Sequence, residues 1–311
     1  MTKNLQIKLN AGNKIMPTKI IKYTGGLGNQ MFQYAFAYVL EQKGFEVLAD
    51  TKLYSKPCVR GGVDLSHGAF EVARVFGLDI KEATDVQVKK LGDRAENFFE
   101  RLRRKFFTKK THVIEYDSKF HAEHLTDMRD LYLDGYWQNP LYWKGYETEL
   151  KKQFTFALPL NEKSQQLSEQ LKTLNDRTCA IHVRRGDYLN HKNLFVCDKP
   201  YFENAISKML ELVPQIQTFI IFSDDIDWCR KNIDTHGKEK IFVDWNSDKD
   251  SWQDIALMTN CANAIIPNSS FSFWGAWLNK NPDAVIVCPK IWSTSGSTDI
   301  IPDNWKTVSV E

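Results

Sequence analysis

The second half of this 311-residue chain alternates apolar strand-like runs with helix-like runs in a regular order. Strands that alternate with helices of this length form a parallel sheet covered by helices. Such sheets bind ligands at the carboxyl ends of their strands, so we expect function in the loops there. The strand-like runs begin at residues 178, 218, 240, 262 and 284. The helical patterns between them cover 200–213, 226–233, 252–261 and 271–279.

The first half of the chain begins with the same kind of unit. A short strand at 19–23 leads through a glycine-rich loop to a helical pattern over 31–44, and a second strand covers 45–50. Pro159 precedes the next clear helix and marks a domain boundary. We therefore predict an α/β fold with a polar extension at 1–18, an N-terminal domain at 19–159 and a C-terminal α/β domain at 160–311.

Charge and hydropathy exclude several classes of protein. The 41 Lys and Arg residues nearly balance 39 Asp and Glu, which argues against a chain-wide basic surface for nucleic acid. No apolar run approaches the ~18 residues of a membrane span. The six cysteines form no C-x-x-C pair and are expected to be reduced structural thiols. The polar N-terminus lacks the apolar region of a secretory signal, so we expect a cytoplasmic protein.

A first candidate site follows the strand that begins at residue 178. Where this strand becomes a loop, six residues bring together His182, Arg184, Arg185 and Asp187. A guanidinium group binds phosphate oxygens through two parallel hydrogen bonds, which suits an anionic leaving group. Because neighbouring side chains on a strand point to opposite faces, we expect one arginine to meet the ligand while the other braces Asp187. A purely structural Arg–Asp pair is the alternative.

The next strand ends in a second polar group, Ser223-Asp224-Asp225. A carboxylate at this position can accept paired hydrogen bonds from a ribose diol or a guanine edge. Asp225 equally fits the N-cap of the following helix. Asp225 and Asp227 also form a D-x-D string, but such strings arise by chance, and we expect no metal.

A third polar loop, Asn268-Ser269-Ser270-Phe271, joins a strand to the next helix. Small hydroxyl residues at a helix N-terminus combine backbone N–H groups, hydroxyl donors and the positive end of the helix dipole. This combination is a cradle for a pyrophosphate. Plain N-capping by serine is the alternative.

The N-terminal loop imitates a dinucleotide-binding fingerprint. Gly26 and Gly28 follow a strand and Asp50 ends the next one, as in a Rossmann nucleotide site. The third glycine position holds Met31, however, where close helix–strand packing requires a small residue. The string Gly28-Asn29-Gln30 instead places polar amides at a helix start that faces the crevice.

Together these motifs resemble those of the inverting, GDP-fucose-dependent α-1,2-fucosyltransferases of bacterial type. Residues 24–33 match the family's N-terminal motif, and 182–188 match its H-x-R-R-G-D-Y signature. Its two later motifs match 222–225 and 268–275, and the string Asp-Gly-Tyr-Trp-Gln at 134–138 resembles a further family segment. The motifs occur in order and cover the chain from about residue 19 to 290.

The resemblance implies a glycosyltransferase-B fold, in which two Rossmann-like domains face a cleft. It implies transfer of fucose from GDP-fucose to the 2-hydroxyl of a terminal galactose, with inversion, no metal and no cofactor. By position, Arg184 would hold the β-phosphate with His182 beside it, and Asn29 would approach the donor from the other domain. The further donor-binding candidates are Gly28, Gln30, Arg185, Ser223, Asp224, Asp225, Asn268, Ser269, Ser270 and Phe271.

The group that takes the proton of the galactose hydroxyl is less defined. Related fucosyltransferases with this signature can use a glutamate shortly downstream, but residues 189–193 contain no acid. Asp187 is the candidate base. A loosely associated transition state without a dedicated base is the alternative.

An aromatic-rich stretch supplies the candidate acceptor-binding residues Tyr136, Trp137 and Gln138. The two rings, like those of Tyr142, Trp143 and Tyr146, can stack on the apolar faces of galactose and its neighbour. Burial of these rings in the core is the alternative.

Residues 89–110 form a basic segment. Nine basic and three acidic side chains give it a net charge of +6, and Phe98, Phe99, Phe106 and Phe107 are interleaved with them. This composition fits an amphipathic helix on an anionic membrane surface, which would make the protein peripheral to the inner face of the membrane. A solvated helix face with a few core phenylalanines is the alternative, and the composition favours it.

Two other functions stay open on the sequence alone. One is a nucleotide-dependent oxidoreductase that uses the Gly26-x-Gly28 loop, against which Met31 argues. The other is a non-catalytic carbohydrate-binding protein, which only the aromatic residues support. The four ordered motifs favour the fucosyltransferase, whose partners would be GDP-fucose and a galactose-terminated glycan rather than nucleic acid.

Overall fold

Two parallel β-sheets organise the chain, as expected for an α/β fold of two Rossmann-like halves. The computed structural model describes residues 16–55, 59–60, 63–64, 70–93, 102–103, 107–190, 194, 197–293 and 299–310.

The N-terminal sheet has the strand order β2-β1-β6-β5, and all its neighbours are parallel. A separate antiparallel hairpin pairs β3 with β4. The strands are β1 (Thr18–Lys22), β2 (Glu46–Asp50), β3 (Val59–Arg60), β4 (Val63–Asp64), β5 (His112–Ile114) and β6 (Leu131–Asp134).

The helices of the N-terminal half pack on its sheet, and the first of them also contacts the C-terminal half. The first helix, α1, is buried almost throughout from Leu27 to Leu40, which is typical of a helix enclosed on all sides. The third, α3, begins with a capping box between Thr84 and Gln87. Within the described ranges, the helices of this half are α1 (Leu27–Gln42), α2 (Val72–Phe76), α3 (Asp85–Leu91) and α4 (Glu147–Gln153).

The C-terminal sheet is larger, with six parallel strands in the order β12-β11-β10-β7-β8-β9. Every residue of β7 is buried, which explains why most of its residues are apolar. The strands are β7 (Thr178–Val183), β8 (Thr218–Ser223), β9 (Glu239–Val243), β10 (Asn263–Ile265), β11 (Ile286–Pro289) and β12 (Lys306–Val308). The helices are α5 (Glu162–Leu174), α6 (Lys199–Leu212), α7 (Ile226–Asn232), α8 (Trp252–Met258) and α9 (Ser270–Trp277).

An aromatic cluster joins the two halves. The ring of Phe32 in α1 lies 4.8 Å from those of Phe273 and Trp274 in α9, and Trp143 stacks on Trp274 at 5.5 Å. Such aromatic pairs stabilise beyond the area that they bury. The two sheets therefore share one continuous core on this side instead of being separated along their whole length. The proposed division at 159/160 stays a prediction.

Half of the basic segment 89–110 lies outside the described residues, so its membrane-binding helix stays a prediction. Among its described residues, Lys109 Nζ donates to the carbonyls of Lys89 (2.7 Å) and Gly92 (3.1 Å) at the end of α3, and Arg103 pairs with Asp93. Within the described ranges, no helix combines the length and the apolarity that crossing a bilayer requires.

The cysteines of the described ranges are consistent with the expected free thiols, because all are buried and unbridged. Cys58 lies outside these ranges. The others are Cys179, Cys197, Cys229, Cys261 and Cys288.

Candidate active site

Each sheet has one point at which the order of its strands reverses. In the C-terminal sheet the chain runs from β7 outward to β9 and then returns to β10, on the other side of β7. In the N-terminal sheet it runs from β1 to β2 and later returns to β6, on the other side of β1. Loops diverge at such a switch point and leave a crevice at the carboxyl ends of the strands, where ligands bind. The motif loops follow β1, β6, β7, β8 and β10, so they gather at the two crevices.

The two crevices adjoin because the N-termini of α1 and α9 touch. A Cβ atom at Gly28 would lie 2.5 Å from Phe271 N and 2.6 Å from the carbonyl carbon of Ser270, so only glycine fits. The indole Nε1 of Trp274 donates to the Gly28 carbonyl at 2.9 Å. The positive ends of two helix dipoles thus lie side by side. The same contact closes the Gly26-x-Gly28 loop against backbone, which argues against the dinucleotide interpretation.

Arg184 and Asp224 form the charged centre of the C-terminal crevice. Arg184 Nη1 lies 3.2 Å from Asp224 Oδ2, and the two side chains are 33% and 25% exposed. The Arg185 N–H donates to Asp224 Oδ1 at 2.9 Å. A Cβ at Gly186 would lie 2.7 Å from Asp224 Oδ2, so this glycine permits the close approach. Asp224 therefore orients Arg184, whose guanidinium keeps an exposed part. Reading of guanine or ribose by Asp224 stays a prediction.

The neighbouring Arg185 has a different task. Its guanidinium lies 4.1 Å over the Trp228 ring and pairs with Asp225 and Asp198, each at 3.3 Å, and its side chain is 14% exposed. The two arginines have different partners, as expected, but the described partners of Arg185 are Asp225 and Asp198. The expected pairing with Asp187 is untested, because that side chain lies outside the described residues, and a role of Arg185 as a donor ligand stays a prediction. Asp225 accepts from the Trp228 N–H at 3.1 Å and so fills the N-cap role that the sequence left open. Ser223 Oγ accepts from the Asp225 N–H at 2.9 Å and fixes the same turn.

His182 lies in β7, buried beside the site, with its ring 5.5 Å from that of Phe271. Burial, and to a lesser degree the charge of Arg184, lowers the pKa of His182 to about 3. The imidazole is therefore neutral at physiological pH and is a poor general acid. Within the described residues its buried Nδ1 has no hydrogen-bond partner.

The loop before α9 divides into a structural residue and a group that faces the crevice. The Asn268 amide is buried and donates to the carbonyls of Leu194 (2.6 Å) and Trp292 (2.9 Å), which corrects its prediction as a donor ligand. Ser269 occupies the N-cap position, but its side chain makes no capping hydrogen bond. The N–H groups of the first turn, including those of Ser270 and Phe271, have no acceptor within the helix. Binding of an anion by these groups stays a prediction.

The two amide side chains at the start of α1, those of Asn29 and Gln30, also differ in their surroundings. Gln30 is fully buried; its Oε1 accepts from the N–H groups of Glu71 (2.8 Å) and Val72 (3.0 Å), and its Nε2 donates to Gly25. The Gln30 side chain thus links the backbone of Gly25 to that of Glu71 and Val72, and it is not a donor ligand, contrary to the prediction. Asn29 is half-buried, and its Oδ1 accepts from Gln138 Nε2 at 2.8 Å.

Most rings of the aromatic stretch are buried. Trp137 is fully buried and stacks on Phe36 at 4.4 Å, so the core alternative holds and this ring offers no face to a sugar. Tyr142 and Trp143 are buried as well. Tyr136 differs, because 46% of its surface is exposed.

Two residues near the site escaped prediction. The Tyr188 hydroxyl donates to the Asn268 carbonyl at 3.3 Å, and its ring lies 5.6 Å from the Arg184 guanidinium. The position of Tyr188 at the end of the H-x-R-R-G-D-Y signature could have indicated its place near the site. Glu115 follows β5 and accepts from two backbone N–H groups after β6. No motif marks Glu115.

Two predictions about chemistry stay untested. Asp187 begins a 3-10 turn at Asp187–Asn190, but its side chain lies outside the part of the chain that is described. Its role as a base stays a prediction. Among the described side chains, no group of three His, Cys, Asp or Glu residues is placed to hold a metal ion. Independence from metal also stays a prediction.

Comparisons with known proteins extend this description. The chain is 30% identical over 307 residues to an alpha-1,2-colitosyltransferase of Escherichia coli. The alignment covers 93% of this chain and 98% of that protein. It is 29% identical over 168 residues to human galactoside alpha-(1,2)-fucosyltransferase 1, covering 50% of this chain and 46% of the human protein. Among solved structures, NodZ alpha-1,6-fucosyltransferase soaked with GDP-fucose aligns with 88% of this chain and 95% of its own, at 15% identity and a TM-score of 0.44.

The family model gives the broadest match. The model for glycosyl transferase family 11 matches residues 18–308, which include both sheets and all the motif loops. The resemblance to α-1,2-fucosyltransferases drawn from the motifs is confirmed, and the chain belongs to glycosyl transferase family 11.

Proposed function

We propose that this glycosyltransferase moves L-fucose from GDP-fucose to the 2-hydroxyl group of a terminal galactose, with inversion at the anomeric carbon. The observation that carries the proposal is the Arg184 side chain, which Asp224 orients at 3.2 Å and leaves 33% exposed. Tyr188 links it to the loop before α9, because its ring lies 5.6 Å from the guanidinium and its hydroxyl donates to the Asn268 carbonyl. Family membership supports transfer of a fucose-like sugar, and the α-1,2 relatives support the linkage.

The leaving group explains why this site suits a nucleoside diphosphate. Negative charge grows on the β-phosphate as the bond to the sugar breaks. Arg184 offers two parallel N–H donors, and the first turn of α9 offers backbone N–H groups. Because these donors are fixed before the reaction, they stabilise the developing charge more than the ground state. In this proposal the transfer needs no metal.

The acceptor hydroxyl must lose its proton as it attacks. His182 is a poor base because burial holds its pKa at about 3. The proposed proton acceptor is Asp187, in the turn directly after Gly186. A loosely associated transition state, in which the proton leaves after the sugar has transferred, is the second possibility.

The identity of the donor sugar needs a direct comparison. Colitose is fucose without its 3-hydroxyl group, and a relative carries colitosyl transfer in its name. A site that hydrogen-bonds a substrate hydroxyl strongly rejects the analogue that lacks it, because its polar groups are then left unpaired. We therefore expect GDP-fucose to be much the better donor if the 3-hydroxyl is bound.

An assay of the purified protein tests the proposal. GDP-fucose and GDP-colitose are each offered with lactose, lacto-N-biose and a lipid-linked galactoside, with and without EDTA, and the product linkage is determined by NMR. We expect α-linked fucose on O2 of galactose at the same rate with chelator. Transfer of colitose alone, attachment at another hydroxyl, or loss of activity that Mg²⁺ restores would each overturn the corresponding part of the proposal.

A further inference from the structure

We propose that Glu115 is a positioning residue that holds Tyr136 as the ring against which the acceptor sugar stacks. The inference rests on the proposed function, whose acceptor subsite it places at the switch point of the N-terminal sheet. Tyr136 belongs to the turn Gly135–Gln138, which directly follows β6. The loop after β1 lies beside it, because β1 and β6 are the neighbours at which the strand order reverses.

Side chains from several elements hold this turn. The Gly135 carbonyl accepts from Gln33 Nε2 at 3.0 Å, and Gln138 Nε2 donates to Asn29 at 2.8 Å. Trp137 is stacked on the ring of Phe36, with the two planes 14° apart. Gly135, Trp137 and Gln138 are thus engaged through backbone or side chain, whereas Tyr136 keeps 46% of its surface exposed.

Glu115 fixes the centre of the turn. Its Oε2 accepts from the N–H groups of both Tyr136 (2.6 Å) and Trp137 (2.9 Å). Gly135 has no room for a side chain, because a Cβ would lie 2.5 Å from Glu115 Cβ. Trp137 has a φ of +56°, in the left-handed region that a bulky residue rarely adopts. Such a conformation persists only where its surroundings hold it, and these two hydrogen bonds do so.

The arrangement has the marks of a ligand site and not only of a stable turn. Glu115 Oε1 is buried and has no hydrogen-bond partner among the described residues. Burial also raises the pKa of Glu115, although the N–H groups of Trp137 and Tyr136 oppose the rise. A buried carboxylate is costly to maintain, so its retention here points to a role in function.

The chemistry of the crevice selects the kind of ligand. A carboxylate beneath Tyr136 disfavours an anion, and the nearby Asp134 is already neutralised by Lys22 at 2.9 Å. The diphosphate belongs at the other crevice, beside Arg184. An exposed aromatic ring next to a carboxylate instead suits the apolar face of a neutral sugar. The acceptor galactoside is the neutral substrate of the proposed reaction.

Steady-state kinetics of single and double variants test the inference. The acceptor is varied at saturating GDP-fucose, and then the donor at saturating acceptor. We expect Glu115→Ala to raise the acceptor KM about tenfold with little change in kcat or donor KM. Glu115→Gln should restore the wild-type acceptor KM, because one amide oxygen can accept both N–H groups. Tyr136→Ala should raise the acceptor KM at least as much.

A double-mutant cycle separates positioning from mere stability. If Glu115 acts through Tyr136, Glu115→Ala changes the acceptor KM little in the Tyr136→Ala background. If the two substitutions instead raise the acceptor KM independently, so that their fold-changes multiply, the inference is overturned. An unchanged acceptor KM in Glu115→Ala or in Tyr136→Ala would overturn it as well. Tyr116→Ala is the matched control, because its ring is 83% exposed beside Glu115 and should leave the kinetics unchanged.

The test distinguishes this inference from the proposed function. If the wild-type protein transfers fucose to no galactoside, the proposed function fails. If the wild-type protein is active but Glu115→Ala and Tyr136→Ala leave the acceptor KM unchanged, only the inference fails. Should Glu115→Ala not fold, Tyr136→Ala and Glu115→Gln still decide, since the first must raise the acceptor KM and the second must not.

Discussion

The switch points of the two sheets use polar groups in opposite ways. At the C-terminal one, Asp224 orients Arg184 and leaves its side chain 33% exposed. At the N-terminal one, the carboxylate of Glu115 and the amide of Gln138 hold a turn, and an aromatic ring is the exposed group. One crevice therefore presents fixed positive charge, and the other presents a fixed neutral surface. From this difference we expect the first to govern the bond-breaking step and the second to govern acceptor binding.

The largest expected effect comes from removing the charge. We expect Arg184→Ala to lower kcat about 10²–10³-fold while the acceptor KM changes little, because the guanidinium acts on the developing phosphate charge. Arg184→Lys should lose most of this activity as well, since an ammonium group cannot form the two parallel bonds. Initial rates at saturating GDP-fucose and acceptor measure both variants.

The matched control for this prediction is Arg230→Lys. Arg230 also pairs with an aspartate, Asp244, at 2.7 Å, and it lies over the ring of Phe242, but it is not in either crevice. Its rate should equal that of the wild type. Wild-type rates in both Arg184 variants would show that the C-terminal crevice is not where the leaving group is stabilised.

The junction between the crevices comes next in expected effect. In Gly28→Ala the new Cβ would meet the Phe271 backbone at 2.5 Å, and neither helix can yield without moving one sheet relative to the other. We expect the free energy of unfolding to fall by about 1–3 kcal/mol. Both kcat and the acceptor KM should deteriorate, because both crevices are displaced. Thermal melting and kinetics measure these changes.

Gly26→Ala provides the comparison for the junction. Gly26 lies two residues away in the same loop and has a φ of −75°, and a Cβ atom there would have open space for 4 Å around it. An alanine at this position should melt and react like the wild type. Equal melting temperatures for the two variants would contradict a tight contact between α1 and α9.

The strands of the C-terminal sheet were predictable, although their order was not, because the central strands are buried on both faces. A strand such as β7 is then mostly apolar, and this run is visible in the sequence. The last strand, β12, was missed because it has three residues, Lys306 among them, and lies at the exposed edge. The contact between α1 and α9 was also missed, since nothing local in the sequence pairs Gly28 with Phe271.

For the site, residue type indicated the chemistry but not the partner. Arg184 and Arg185 are adjacent and chemically identical, yet one lies in the crevice and the other braces Asp225. Gln30 and Asn268 have the amides expected of ligand-binding residues, but backbone groups occupy them. An amide satisfies a peptide group as readily as a nucleotide, so only the fold decides between these partners.

The smallest expected effect on activity comes from a group in neither crevice, and it tests whether stability can change without activity. Asp254 accepts from Asn246 at 2.8 Å, and burial raises the pKa of Asp254 to about 7. Since its pKa in the unfolded chain is about 3.9, the folded protein holds this proton more tightly. The contribution to stability is complete below about pH 4 and is lost as the pH rises to about 7, by at most about 1.4 kcal/mol per pH unit.

Asp254→Asn stays neutral throughout, so we expect it to melt like the wild type at pH 4 and at a higher temperature at pH 8, with unchanged kcat. An equal shift of the Asp254→Asn melting temperature at every pH would contradict the assignment.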